Sequence, residues 1–165
     1  MSTTPFSRAA APGCAAPASR PEIDQPGTNL VTDVLVIDEN DIIADYVCAL
    51  FRRSGWTIAR RSACADGVSM VNERPVAVAI CGQSLRDGTW QDLALAFSGL
   101  PEAPALIVIS DDPGLVKDVV ALGGFDVLVR PLLSPGDVVW SVASAWNAWW
   151  KRYEAKDRKV RCFDA

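Results

Sequence analysis

The chain has 165 residues, 16 Lys and Arg against 20 Asp and Glu, a net charge of −4, and 50% hydrophobic residues. That length holds one domain with tails, and a domain of this size buries enough apolar surface to need no metal or disulfide staple. There is no histidine, which excludes histidine-ligated zinc, Ser/His/Asp and Cys/His nucleophiles, and phosphotransfer through a histidine of its own.

Cys14, Cys48, Cys64, Cys81 and Cys162 form no C-x-x-C pair, and they read as small buried hydrophobes in a reducing compartment. No apolar run reaches the ~18 residues of a membrane span. The Ala-Pro-Gly-Cys at 11–14 lacks the apolar stretch of an export signal. A cytoplasmic location with no membrane partner is expected.

Composition divides the chain into three. Residues 1–29 carry five prolines and one aromatic residue; they bury too little to offset their ordering entropy and are expected to be disordered. Residues 30–150 form the folded body, with 8 basic and 15 acidic residues. Residues 151–165 reverse the sign, with six basic against three acidic, and read as a basic extension of the last helix.

In chain order, 34–37 (VLVI) is a buried strand. Apolar residues at 43, 46, 47, 50 and 51 predict a helix over 41–54, stopped by Gly55. A weak strand at 56–60 and a helix at 65–73 follow. Then come a strand at 76–81 (VAVAIC), a loop through Gly88 and a helix near 90–98. A strand at 105–109 (ALIVI) precedes a helix at 113–122 that ends at Gly123-Gly124. The last strand is 127–129, and Ser134 with Pro135 caps a helix that can run to about 159. Five alternating βα units with continuous apolar strands predict an α/β fold, a doubly wound five-stranded parallel sheet with an extended C-terminal helix. Functional groups of such a sheet gather at the carboxyl ends of its strands.

At those ends stand Asp38 and Glu39 after the first strand, and Gly82 to Gly88 after the third. Ser110 with Asp111 and Asp112 follows the fourth, and Arg130-Pro131 the fifth. Two carboxylates in one pocket call for Mg²⁺ or a nearby cation, or else they decorate a helix N-terminus.

Over about 32–150 the chain resembles the receiver domain of two-component response regulators, with its flavodoxin-like fold. V-L-V-I-D-E-N is similar to the family's first strand and acidic pair, and I-C-G-Q-S-L-R-D-G-T-W to its third strand and following loop. L-I-V-I-S and L-G-G-F-D-V-L-V-R-P are similar to its fourth and fifth strands. The resemblance implies an Mg²⁺ pocket at Asp38 and Glu39, the phosphate read-out positions Ser110, Arg130 and Pro131, and a cis peptide bond between Arg130 and Pro131. It also implies departures. Gly82 stands where the family carries its phosphoacceptor aspartate, Arg130 where it carries lysine, and Val127 where it carries an aromatic switch residue. Asp87 falls five residues too late to substitute.

The expectation is therefore a pseudo-receiver in phosphorelay-type signal transduction. It is not an enzyme, needs no cofactor, and binds Mg²⁺ weakly if at all. It would act through protein contacts with a histidine kinase or another signalling protein, with no output domain in view. Arg130 is expected to reach across to Asp38 or Glu39 and lock the crevice. On the long helix, Val138, Val142, Ala145 and Trp149 form the core stripe. Trp140, Trp146, Trp150 and Tyr153 then lie on other faces as anchors of a homodimer. Nucleic acid is not an expected partner, because the basic end complements the helix dipole. Two other readings are an anion or small-ligand site of Ser84, Ser110 and Arg130, and a redox sensor at Cys81 with a lowered thiol pKa.

Overall fold

In a computed structural model of the chain, the described residues are 31–130 and 134–163. The tail at 1–29 and the Arg130–Pro131 bond lie outside them. The elements run β1 (Thr32–Ile37), α1 (Ile42–Leu50), β2 (Ile58–Arg61), α2 (Cys64–Glu73), β3 (Val76–Gly82), β4 (Ser84–Leu85), β5 (Gly88–Thr89), α3 (Trp90–Ser98), β6 (Ala105–Ser110), α4 (Leu115–Ala121), β7 (Asp126–Val129) and α5 (Pro135–Phe163). The main sheet is parallel, in the order β2-β1-β3-β6-β7. This is the doubly wound order expected of continuous apolar strands joined by helices.

Because strand side chains alternate, each central strand feeds two cores. Val34, Val36, Val78, Ile80, Ile107 and Ile109 pack toward α1 and α5. Leu35, Ile37, Ala79, Cys81, Leu106 and Val108 pack toward α2, α3 and α4. The loop after β3 contains a two-stranded antiparallel hairpin, β4 with β5, which two-residue strands make invisible to periodicity. Helix α1 ends four residues short of the expected 54. A turn closes over Ser54, whose N–H reaches the Phe51 carbonyl, and Gly55 takes φ 78°, a conformation glycine adopts without steric penalty.

Helix α5 begins as expected: the Asp137 N–H donates to Ser134 Oγ at 3.2 Å. It continues without a break past residue 150 and on to Phe163. Val138, Val142, Ala145 and Trp149 are all buried. The aromatic residues require a correction. Trp140 is 74% exposed, but Trp146 is only 2% exposed, and Trp150 and Tyr153 are half-buried against the core. The helical period explains this: Trp146 is four residues beyond Val142, so it lies on the same broad stripe.

The body supplies partners for that stripe. Phe51, Trp56, Trp146 and Trp150 form one continuous stack with centroid spacings of 5.0, 5.3 and 5.3 Å. Trp149 stacks on Tyr153 at 4.7 Å. Beneath the stack, the Trp146 indole N–H donates to Asp33 Oδ1 at 2.9 Å, and the Thr57 N–H donates to Asp33 Oδ2 at 2.8 Å. Asp33, on β1, is 1% exposed; it is tolerated inside because its oxygens are hydrogen-bonded.

Candidate functional site

The carboxyl ends of β1, β3, β6 and β7 converge on one crevice, as the sheet order requires. Asp38 follows β1 and is buried. Its Oδ2 accepts the Ile43 N–H at 3.1 Å and its Oδ1 accepts the Asn40 N–H at 3.4 Å. Asp38 thus caps the start of α1, helped by Asp41, whose φ of 60° turns the chain into the helix. Glu39 beside it is exposed. These two bonds make Asp38 a carboxylate at a helix N-terminus. Among the described residues no three His, Cys, Asp or Glu side chains are grouped closely enough to hold a metal ion.

Gly82 closes β3 opposite Ile109 of β6. Its neighbour Gln83 performs a task that the sequence did not disclose. Ser110, fully buried at the end of β6, donates its hydroxyl proton to Gln83 Oε1 at 2.8 Å. Its Oγ also accepts the Asp112 N–H at 3.0 Å. The hydroxyl that the resemblance assigns to phosphate read-out is therefore engaged within the chain on both its donor and acceptor sides.

Arg130 does not lock the crevice in the expected way. Its Nε lies 3.3 Å from Asp111 Oδ1, and neither Asp38 nor Glu39 is an ion-pair partner of it among the described residues. The reason is register: the Arg130 N–H donates to the Ser110 carbonyl at 2.9 Å, which sets the side chain beside the residue after Ser110. Both partners are well exposed, so the pair stabilises by ~1 kcal/mol at most. Ser84 is exposed on the hairpin, and Val127 is buried in β7.

Cys81 is fully buried one residue before Gly82, and burial pushes its thiol well above the ordinary range. Cys64 is pushed up to about 11, by burial first and then by the Asp87 carboxylate. Neither environment favours a thiolate.

Asp87, on the hairpin turn, accepts the N–H groups of Cys64 at 2.7 Å and Ala65 at 3.1 Å. It caps α2 from 23 residues away in sequence, a partnership no local pattern could reveal. These two backbone donors hold its carboxyl below the ordinary range. A depressed folded-state pKa contributes stability above the unfolded value of ~3.9 and loses it as pH falls through the folded value. Asp87→Ala is therefore expected to lower the urea midpoint at pH 7, and the deficit should shrink as the medium is acidified past that range. A deficit constant with pH would show that the charge contributes nothing.

No protein-family model matches the chain, and no curated protein matches it in sequence. Solved structures do match in fold. The signal receiver domain of a Luxo repressor protein from Vibrio parahaemolyticus aligns with a TM-score of 0.67 at 14% identity, over 78% of this chain and 98% of the other. The chemotaxis response regulator CheY4 of Vibrio cholerae aligns with a TM-score of 0.62 at 15% identity, over 72% and 99%. The beryllofluoride-activated NtrC4 receiver domain dimer aligns with a TM-score of 0.63 at 17% identity, over 70% and 97%. The chain has the flavodoxin-like receiver fold, spanned almost completely in each of these proteins.

Proposed function

We propose that the chain is a receiver-type signalling module of a two-component system that works through protein contacts without phosphorylation of an aspartate. One observation carries this reading: the strand end that faces Asp38 and Ser110 in the receiver fold is Gly82, which has no side chain to be phosphorylated. The engagement of Ser110 by Gln83 supports it, because the crevice is internally satisfied without a ligand. The thiol environments count against the redox alternative, and the pairing of Ser110 and Arg130 within the chain counts against an anion site.

The partners are proteins of the signalling pathway, a histidine kinase or another receiver-binding protein among them, and the module turns over no substrate. Exposed Trp140 provides a surface for a second copy, and one fold neighbour is a dimer. Mg²⁺ is not required, and the cytoplasm is the compartment. Incubation of the full chain with acetyl phosphate and Mg²⁺, followed by intact mass measurement, is expected to show no phosphoryl adduct. An adduct on an aspartate would overturn the proposal.

A further inference from the structure

The end of the sheet opposite the crevice carries a trough. Two clefts of about 210 and 240 Å³ share Leu100, Pro101 and Glu102 as a common wall. One extends to Pro75 at the start of β3. The other extends along α5 past Tyr153 to Arg152 and Lys156. Trp149 lies buried beneath, its indole N–H 3.5 Å from the Glu102 carbonyl. Arg152 and Lys156 are exposed and four residues apart, so they stand on the same side of the helix. Arg74 adds a third cation at the other end, against the acids Glu73 and Glu102.

The chain itself enters at the rim of this trough. The Thr32 N–H donates to the Pro75 carbonyl at 2.9 Å, so β1 begins beside Pro75. The segment immediately preceding, 16–30, reads APASRPEIDQPGTNL. It holds three prolines, two large aliphatics (Ile23 and Leu30), and the only acids of the tail, Glu22 and Asp24, with Arg20 its one cation. Proline-rich segments favour the extended polyproline conformation, and aromatic-lined grooves bind them at a small entropic cost. From Val31 back to Glu22 such a chain spans about 28 Å. The tether keeps the segment at an effective concentration in the millimolar range.

We infer that residues 16–30 of the same chain dock in this trough, with the prolines on the Pro101 and Tyr153 surface and Glu22 and Asp24 against Arg152 and Lys156. The tail is then an intramolecular ligand of α5, and it covers the half-buried aromatic end of the stack.

A zero-length carbodiimide, which joins carboxylates to lysine amines in contact, tests this on the full chain at low micromolar concentration. The expected product is an intrachain crosslink from Glu22 or Asp24 to Lys156, identified by peptide mass spectrometry. Arg152→Glu should reduce its yield about fivefold, the scale of one exposed ion pair. The full exchange, Arg152→Glu and Lys156→Glu with Glu22→Lys and Asp24→Lys, should restore a crosslink of reversed polarity. Circular dichroism confirms that each variant folds. Crosslinks only between two chains would place another copy's tail in the trough and overturn the inference. So would the absence of any crosslink from Glu22 or Asp24, or a yield indifferent to Arg152→Glu.

Discussion

Gly82→Asp is expected to convert a chain that takes no phosphoryl group into one that does. The backbone at Gly82 does not require glycine: its φ lies outside the left-handed region, and an added Cβ would meet only the Ser84 carbonyl oxygen, at 3.7 Å. A carboxylate there would join buried Asp38 at the same strand ends, with Glu39 next in sequence, and carboxylates gathered in one pocket favour a divalent cation. Mg²⁺ affinity should rise about tenfold, equivalent to ~1.4 kcal/mol, read by titration calorimetry. Acetyl phosphate should then add phosphoryl mass to the variant and leave the parent unchanged. If the variant binds Mg²⁺ no better than the parent, the capping bonds of Asp38 have taken the pocket out of metal chemistry altogether.

The second large effect concerns Trp146. Truncation to alanine removes a buried indole from the middle of a four-ring stack, and comparable Trp→Ala changes destabilise by ~3–5 kcal/mol. Against a typical domain stability of ~5–15 kcal/mol, the variant should be largely unfolded at moderate urea concentration. Trp146→Phe is the more informative change. It keeps a stacking ring but withdraws the donor from Asp33 Oδ1, and loss of a buried charge-assisted bond should cost ~1–3 kcal/mol. Urea unfolding followed by far-UV circular dichroism measures both. A Trp146→Phe variant within ~0.5 kcal/mol of the parent would mean that Asp33 finds another donor.

Much of this architecture is legible in the residues. The apolar runs at 34–37, 76–81 and 105–109 became the central strands because a two-sided buried sheet demands them, and Ser134-Pro135 opened α5 as capping chemistry requires. The side-chain partnerships were not legible. Asp87 with Cys64, Ser110 with Gln83 and Trp146 with Asp33 join residues 23, 27 and 113 positions apart, and no local spacing encodes them. The partner of Arg130 is hidden for the same reason: its choice between Asp38 and Asp111 depends on how β7 registers against β6. Trp140 is exposed and Trp149 buried as their spacing predicts, whereas Trp146 and Trp150 turn inward because the helix buries a face broader than the narrow stripe.

The stack also bears on how α5 behaves as a mechanical element. Its aromatic fulcrum grips the helix around Trp146 to Tyr153, at the end of the sheet remote from the crevice. Beyond Lys156, the last residue of α5 that lines the cleft, seven more residues carry the helix about 10 Å further, a projection held at its base. Anything carried at the tip of that projection takes its bearing relative to the sheet from the packed rings at its base.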